Sequence, residues 1–374
     1  MDHKILLQKL EHYGVRGIAL RLLESYLADR SQYVCYGGHE SPRGKVECGV
    51  PQGSVLGPLF FIMYVNDMAR ACPGLKLVLF ADDSSGFAED KDPVRLVDRV
   101  GEGLGQLSRW FSKNRLTLNI KKTEYVFFGG VHKHPALERG LTIGGEQVKR
   151  VDGARFLGVW VDEKLKWTGH IDRVRQRVSQ LLGVIGRAGA VLGGGQLLTL
   201  YNSMVLPHLQ YCLIVWGDFQ EGRNVVVAES LLRLQKRFMG IIAKRRGRFH
   251  ADPLFSEFGV LKVGDLYRQQ LRIYAWQFWR GGLPQNQAAM LGRVEDAHGH
   301  NTRAARAGIY LSGREHRSNG FRVPKEWATM SEGLRNSASG AGFKRRSRQE
   351  FLSQYRENIC EDQGCRVCRR QGEG

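Results

Sequence analysis

Asp82 and Asp83 stand side by side in Phe80-Ala81-Asp82-Asp83, at the end of the run Leu75-Lys76-Leu77-Val78-Leu79 and ahead of Ser84-Ser85-Gly86-Phe87. Adjacent like charges repel, and aspartate is disfavoured inside a strand. A tight turn between two strands that holds both carboxylates toward a divalent cation turns that repulsion to use, because hard cations such as magnesium take oxygen ligands. A solvent-facing turn uses the same residue type for local side-chain to backbone hydrogen bonds. The tetrapeptide by itself leaves both readings open.

Three further stretches carry chemically capable residues. Gly49-Val50-Pro51-Gln52-Gly53-Ser54-Val55-Leu56-Gly57-Pro58 holds three glycines and two prolines. Glycines let another chain approach the backbone closely, so Gln52 and Gly53 suit a surface on which a base pair rests; an ordinary loop entering a core helix has the same composition. Lys122 lies in Ile120-Lys121-Lys122-Thr123-Glu124. Beside metal-binding carboxylates a lysine would neutralise or protonate a phosphate leaving group, whereas lysines flanking a strand commonly stay solvated. Cys360, Cys365 and Cys368 have a C-x4-C-x2-C spacing and no His or Cys after them. A structural zinc site takes four ligands, so free thiols are expected there.

Periodicity and turn residues supply the elements that must position these groups. Residues 4–28 predict two short helices interrupted at Gly14 and Gly17. Gln32–Tyr36 predicts a strand turned by Gly37-Gly38, with a second around Lys45–Cys48. Leu59–Met68 reads as a buried helix with Pro58 in its first turn. Pro93–Asn114 is an amphipathic helix, its apolar face made by Leu96, Val97, Val100, Leu104, Leu107 and Phe111. Tyr125–Phe128 predicts a strand, Leu141–Val148 a hairpin turned by Gly144-Gly145, and Arg155–Val161 follows. From Trp167 onward helical patterns dominate: Ile171–Leu192 with Arg173, Arg175, Arg177 and Arg187, the nearly uncharged Gln196–Leu213, and Val225–Ile242 running into Lys244-Arg245-Arg246-Gly247-Arg248. In Leu266–Arg280, the rings of Tyr274, Trp276, Phe278 and Trp279 read as core rather than as stacking platforms for bases. Residues 281–320 look loop-like, and Lys344-Arg345-Arg346 open a last short helix.

A chain of 374 residues with 42% hydrophobic content is long enough for two or three domains with sizeable cores. Its net charge of +19 is unevenly placed: residues 1–164 carry +3, residues 165–250 carry +9, and residues 301–374 carry +7. Positive charge gathered downstream of a nearly neutral first part points to a polyanion such as nucleic acid. The seven scattered and terminal cysteines do not resemble a secreted disulfide framework. The start Met1-Asp2-His3-Lys4 lacks the order of a signal peptide, and no apolar run is long enough to span a bilayer. An intracellular protein of the cytoplasm or nucleus, neither secreted nor in a membrane, is expected.

Taken in order, Gly49-Val50-Pro51-Gln52-Gly53-Ser54, Phe80-Ala81-Asp82-Asp83, Leu118-Asn119-Ile120-Lys121-Lys122-Thr123 and Phe156-Leu157-Gly158 resemble the successive motifs of reverse transcriptases, in particular those of non-LTR (LINE-type, jockey-like) retrotransposons. Tyr26-Leu27 with Arg30-Ser31-Gln32, Arg322-Val323-Pro324-Lys325-Glu326-Trp327 and Phe343-Lys344 are similar to other segments of such elements. The resemblance implies an α+β fold: a polymerase palm remainder over 1–164, an antiparallel sheet with helices; a helical thumb-like bundle over 165–248; and a mainly helical, basic C-terminal extension over 249–374. It implies an RNA template, a DNA primer, deoxynucleoside triphosphates, and Mg2+ or Mn2+ held by Asp82 and Asp83. Gln52 and Gly53 match the loop beside the templating base and incoming nucleotide, Lys122 the lysine that assists pyrophosphate departure, and Phe156, Leu157 and Gly158 the primer grip.

Members of the family carry a third catalytic aspartate on a palm strand just upstream of a phrase like Asp2-His3-Lys4-Ile5-Leu6-Leu7. Asp2 matches the tail of that motif and not its metal ligand, so the resemblance implies an N-terminally truncated element. The expectation is an RNA-directed DNA polymerase fragment, inactive alone. Against it stands a non-catalytic nucleic-acid-binding remnant using the basic bundle. The sequence is silent on oligomeric state.

Overall fold

Two units, Met1–Leu165 and Lys166–Gly374, divide the computed structural model, which describes residues 1–129, 139–218, 224–245, 247, 249–293, 308–311 and 322–357. In the first unit the helices are α1 (His3–His12), α2 (Ile18–Leu27), α3 (Leu56–Val65), α4 (Met68–Ala71) and α5 (Pro93–Lys113). α1 packs on α2 and α3, and α4 on α5. Asp92 caps it, its side chain accepting from the Val94 N–H at 2.9 Å, and Pro93 takes the first helical position, where a missing N–H is harmless. Leu107, Trp110 and Phe111 of α5 join a cluster of Leu6, Leu10, Leu27, Phe60, Tyr64 and Met68. Val97, Val100 and Leu104, farther back on the same helix, pack on Leu141, Ile143 and Val148. Full burial of one such side chain is worth about 1.5–3 kcal/mol, so packing rather than intrinsic propensity holds α5.

The strands form small separate sheets. β1 (Ser31–Gln32) pairs with β4 (Gly44–Lys45), and β2 (Cys35–Tyr36) with β3 (His39–Glu40). The expected single strand over Gln32–Tyr36 is thus two, because Val34 turns aside to exchange bonds with Ser41: Val34 N–H to Ser41 Oγ at 3.0 Å and Ser41 N–H to the Val34 carbonyl at 2.9 Å. β5 (Lys76–Phe80) and β6 (Asp83–Phe87) form an antiparallel hairpin. β7 (Glu124–Tyr125), β8 (Leu141–Ile143) and β9 (Glu146–Arg150) make a sheet in the order β7–β9–β8, and its β7–β9 pairing is parallel, unlike the antiparallel arrangement expected. Gly144 and Gly145 turn β8 into β9 with both φ angles positive, 60° and 89°, as a two-residue hairpin requires. β10 (Gly153–Phe156) and β11 (Val159–Asp162) form a further antiparallel hairpin.

The second unit is mostly helical. α6 (Thr168–Ala188) buries Ile171, Val174, Val178, Leu181, Leu182 and Ile185. α7 (Gly194–Leu200) runs through a π-helical turn, Tyr201–Val205, into α8 (Leu206–Gln210). The expected straight helix widens there because Pro207 has no N–H for the preceding turn and its ring crowds that turn's carbonyl. α9 (Leu213–Trp216), α10 (Asn224–Ile242), α11 (Asp252–Glu257), α12 (Val263–Trp279) and α13 (Gln285–Ala288) follow, then the hairpin β12 (Leu291–Arg293) with β13 (Ile309–Leu311), and α14 (Val323–Thr329), α15 (Glu332–Arg335) and α16 (Gly340–Glu357).

Gln235 of α10 is fully buried and fully satisfied. Its amide donates to Tyr201 Oη (2.9 Å) and to the Leu261 carbonyl (3.1 Å), and its oxygen accepts from the Val263 N–H (2.8 Å). Arg272 is also buried, bonded to Glu326 (3.3 Å) and Glu350 (3.0 Å), with Arg268 on the other oxygen of Glu326 (2.7 Å). Trp276 stacks on Phe343 at 5.3 Å and Trp279 lies on Trp327 at 5.1 Å, so these aromatics are packing partners within the unit.

Close approach of the β5–β6 hairpin to α5 depends on Gly103. A Cβ there would stand 2.6 Å from Leu75 Cγ, immediately before β5. Gly103→Ala is therefore expected to destabilise the first unit by up to about 2 kcal/mol, overpacking of about 1–3 kcal/mol being set against a gain of about 1 kcal/mol in helix propensity. Urea unfolding of the two proteins measures the difference.

Candidate active site

Leu77 and Leu79 of β5 pack against the Phe60–Tyr64 cluster, while Val78 and Phe80 on the opposite face are 41% and 63% exposed. This alternation follows from the two-residue period of a strand. Phe80 pairs with Asp83, leaving Ala81 and Asp82 as the two-residue turn. Ala81 takes φ 49°, a left-handed conformation that costs a non-glycine residue about 1–2 kcal/mol. Asp82 and Asp83 are both exposed, and neither carboxylate makes a hydrogen bond or ion pair among the described residues. Their oxygens stand free at the tip of a hairpin whose other end is anchored.

The Phe-Leu-Gly segment meets this hairpin directly. The Phe156 ring sits edge-on to the Phe87 ring at 5.7 Å. Phe156 pairs with Val159, so Leu157 and Gly158 form the turn, with φ 44° and 87°. Two positive φ angles define the type I′ turn that matches strand twist.

The loop of Gln52 and Gly53 is a separate construction. The Ser54 N–H donates to the Pro51 carbonyl at 3.2 Å, and Gly53 has φ 80° with open space about it. These features describe a type II turn in which glycine is required by the backbone and not by crowding. Ser54 Oγ then accepts from the Gly57 N–H at 3.1 Å to begin α3. At the front of the loop, Gly49 is held from both sides: its N–H donates to the Met1 carbonyl at 2.7 Å, and its carbonyl lies 2.7 Å from His3 Nε2.

Asp2 supports this arrangement. Its carboxylate accepts from the Ile5 N–H at 3.1 Å and from Arg115 at 2.5 Å, and its own N–H lies 3.3 Å from Tyr64 Oη, which donates to the Asn114 carbonyl at 2.6 Å. Lys122 ends a 3-10 turn, Ile120–Lys122, and is exposed. It leads into β7, in a different sheet from the Asp hairpin, and makes no hydrogen bond or ion pair with Asp82 or Asp83. The Phe87–Phe156 contact joins the Asp82–Asp83 hairpin to the Phe156–Gly158 segment, while Gln52 and Gly53 lie on the turn before α3 and Lys122 on the turn before β7.

Two free carboxylates have the donor chemistry magnesium or manganese prefers. They do not complete a site: among the described residues no group of three or more His, Cys, Asp and Glu is placed to hold a metal ion. Cys360, Cys365 and Cys368 lie outside the described residues. No helix among those residues is long and apolar enough to cross a membrane.

Sequence reasoning missed Phe87 and Tyr64. Tyr64 left a signal: it is the one polar side chain in the apolar helix Leu56–Val65, and a hydroxyl buried there must find partners. Phe87 left none, since its partner is 69 positions away in the sequence.

Residues 1–161 match the protein-family model described as Reverse transcriptase (RNA-dependent DNA polymerase). Among curated proteins, the chain is 25% identical over 228 residues to the RNA-directed DNA polymerase from mobile element jockey of Drosophila melanogaster, covering 57% of this chain and 24% of that protein. It is 28% identical over 203 residues to the probable RNA-directed DNA polymerase from transposon X-element of the same fly, 52% and 22% of the two chains. With the jockey polymerase of Drosophila funebris it shares 26% identity over 270 residues, 68% and 28% of the two chains. The chain spans about a quarter of the length of these relatives. Its small sheets and many helices are consistent with a reverse transcriptase domain.

The Ile5 N–H and then the Arg115 guanidinium hold the Asp2 carboxyl below its ordinary value of 3.8, against the opposing effect of burial. A depressed carboxylate contributes stability that is present above pH 3.8 and lost as pH falls through its lower folded value. Asp2→Asn is expected to be less stable than the parent at pH 7, with the gap closing below about pH 4. Urea unfolding across a pH series checks this, and a gap that persists in acid would refute it.

Proposed function

We propose that the chain is the palm and thumb portion of an RNA-directed DNA polymerase, with Asp82 and Asp83 holding divalent metal, and that it does not polymerise by itself. The observation that carries the reading is the pair of uncommitted carboxylates on a hairpin packed against the Phe156 hairpin, inside the segment that matches the reverse transcriptase family. The proposed layout is a palm over 1–164, a thumb over 165–248 and a C-terminal extension over 249–374. The substrates are an RNA template, a DNA primer and deoxynucleoside triphosphates.

The chemistry a bound pair of Mg2+ or Mn2+ ions supplies is activation of a primer 3′-hydroxyl and charge neutralisation of the leaving pyrophosphate. The chain's own groups bind and orient. The Gln52–Gly53 turn offers a flat, exposed backbone to a base pair, Phe156 to Gly158 set the primer end beside the carboxylates, and Lys122 holds a proton for the leaving group. Two carboxylates hold the ions loosely, and misplacement of reacting groups by about 1 Å costs about a hundredfold in rate. A third carboxylate brought by another segment would complete the set.

A second reading, a non-catalytic nucleic-acid binder, is favoured by the exposed Arg233, Lys236 and Arg237 along α10, in a stretch without Asp or Glu from 230 to 251. Mn2+ binding, measured beside primer extension on a homopolymer RNA template, separates the two. No extension is expected from the chain alone, with weak Mn2+ binding that Asp82→Asn abolishes. Robust synthesis abolished by Asp82→Ala would overturn the inactivity while upholding the site. Mn2+ binding indifferent to both aspartates would remove the site itself.

A further inference from the structure

Four of the five residues from Lys344 to Arg348 are basic, and they lie in the N-terminal half of α16. The helix cannot turn them away from solvent, because its other face is fixed. Phe343, Ser347, Phe351 and Tyr355, four residues apart, are all buried. Trp276 stacks on Phe343, the Arg272 guanidinium lies 4.3 Å from the Phe351 ring centre, and Tyr355 Oη donates to Asp265 at 2.5 Å. Lys344, Arg345, Arg346 and Arg348 are consequently exposed.

None of these four charges is neutralised among the described residues. Arg346 reaches only the Gly333 carbonyl at 3.4 Å, and Arg348 the Gly259 carbonyl at 2.9 Å; Lys344 and Arg345 have no side-chain partner. The carboxylates that pack nearby are already engaged, Glu350 by Arg272 and Ser331 and Glu326 by Arg268 and Arg272. Glu332, next to Gly333, forms no ion pair with Arg346. Arg280 adds a fifth positive group, its guanidinium 3.5 Å from the Ala338 carbonyl just ahead of the helix. Like charges four apart, as at 344 and 348, repel, and the first half of a helix prefers anions. The fold thus holds an electrostatically unfavourable ridge in place through apolar anchors and ion pairs on the opposite face.

We infer that this ridge is a nucleic-acid contact surface that takes phosphate groups of the backbone without reading sequence. Arginine forks and a lysine arrayed along a helix suit a row of phosphates. A lipid surface is disfavoured by the outer face itself, whose largest apolar side chain is the half-buried Leu352, too little to enter a bilayer. The surface uses none of the residues assigned to the polymerase site and does not depend on that assignment.

The test uses the full chain and fluorescence anisotropy with two probes, a short labelled oligo(U) RNA and a short labelled DNA duplex, over a series of KCl concentrations. The triple variant Lys344→Gln, Arg345→Gln, Arg346→Gln is expected to keep its unfolding midpoint and to lower the slope of log affinity against log salt by about 2, since each phosphate no longer neutralised takes about 0.7–0.9 from the slope. Arg345→Glu alone gives a milder check should the triple variant be destabilised, with a slope lower by about 1. Weakened binding of the RNA probe alone makes single-stranded RNA the ligand, weakened binding of the duplex alone makes it DNA, and weakened binding of both makes it either backbone; each supports the proposal. Unchanged slope and affinity with both probes would overturn it. The variant Arg233→Gln, Lys236→Gln, Arg237→Gln reports separately on α10.

Discussion

Tyr64 carries a hydroxyl into a helix that is otherwise apolar, and with no exposure that oxygen has to be satisfied inside the protein. It is met by the Asn114 carbonyl at the end of α5 and by the N–H of Asp2 at the start of α1. Asp2 in turn binds Arg115, and the residues on either side of it hold Gly49. The loop of Gln52 and Gly53 therefore inherits its starting position from a hydrogen-bond chain running through three helices. Lys9 reinforces the same point, donating to the Tyr64 carbonyl and Asp67 at 2.7 Å each while lying over the Tyr64 and Trp110 rings.

Local chemistry made several elements legible in the sequence. Asp92-Pro93 at the start of α5, the twin glycines at 144 and 145, and the spacing of Ile171, Val174 and Val178 each state their structure within a few residues. The Asp82–Asp83 hairpin was legible too, since only a turn tolerates that pair after an apolar run. What stayed hidden depends on distant partners. The parallel pairing of Glu124 with Lys149 and the meeting of Phe87 with Phe156 join segments that share no local signal. The widened turn at Tyr201–Val205 is read from Pro207 only once the helix around it is known to continue.

Both hairpins that meet at the Phe87–Phe156 contact are turned by a non-glycine residue in the left-handed region, Ala81 in one and Leu157 in the other. Such residues persist where surrounding structure over-determines the backbone. At Asp82 and Asp83 the effect is a tip of fixed direction carrying two mutually repelling groups. Outside the hairpin, the outer edges of β5 and β6 are unpaired among the described residues, and Val78, Phe80 and Phe87 stand partly open. An open edge of this kind readily takes another strand.

Gln235 has a bearing on how such chains can be recombined over evolutionary time. It lies in the helical stretch that ends near 248, yet two of its three bonds, to Leu261 and Val263, cross into the segment that follows. A crossover between elements at that junction would import a new partner segment against an amide that offers no tolerance, its unmet bonds buried away from water. An exchanged segment has to return a carbonyl and an N–H to the same two places, so backbone path rather than side-chain identity is what this junction constrains.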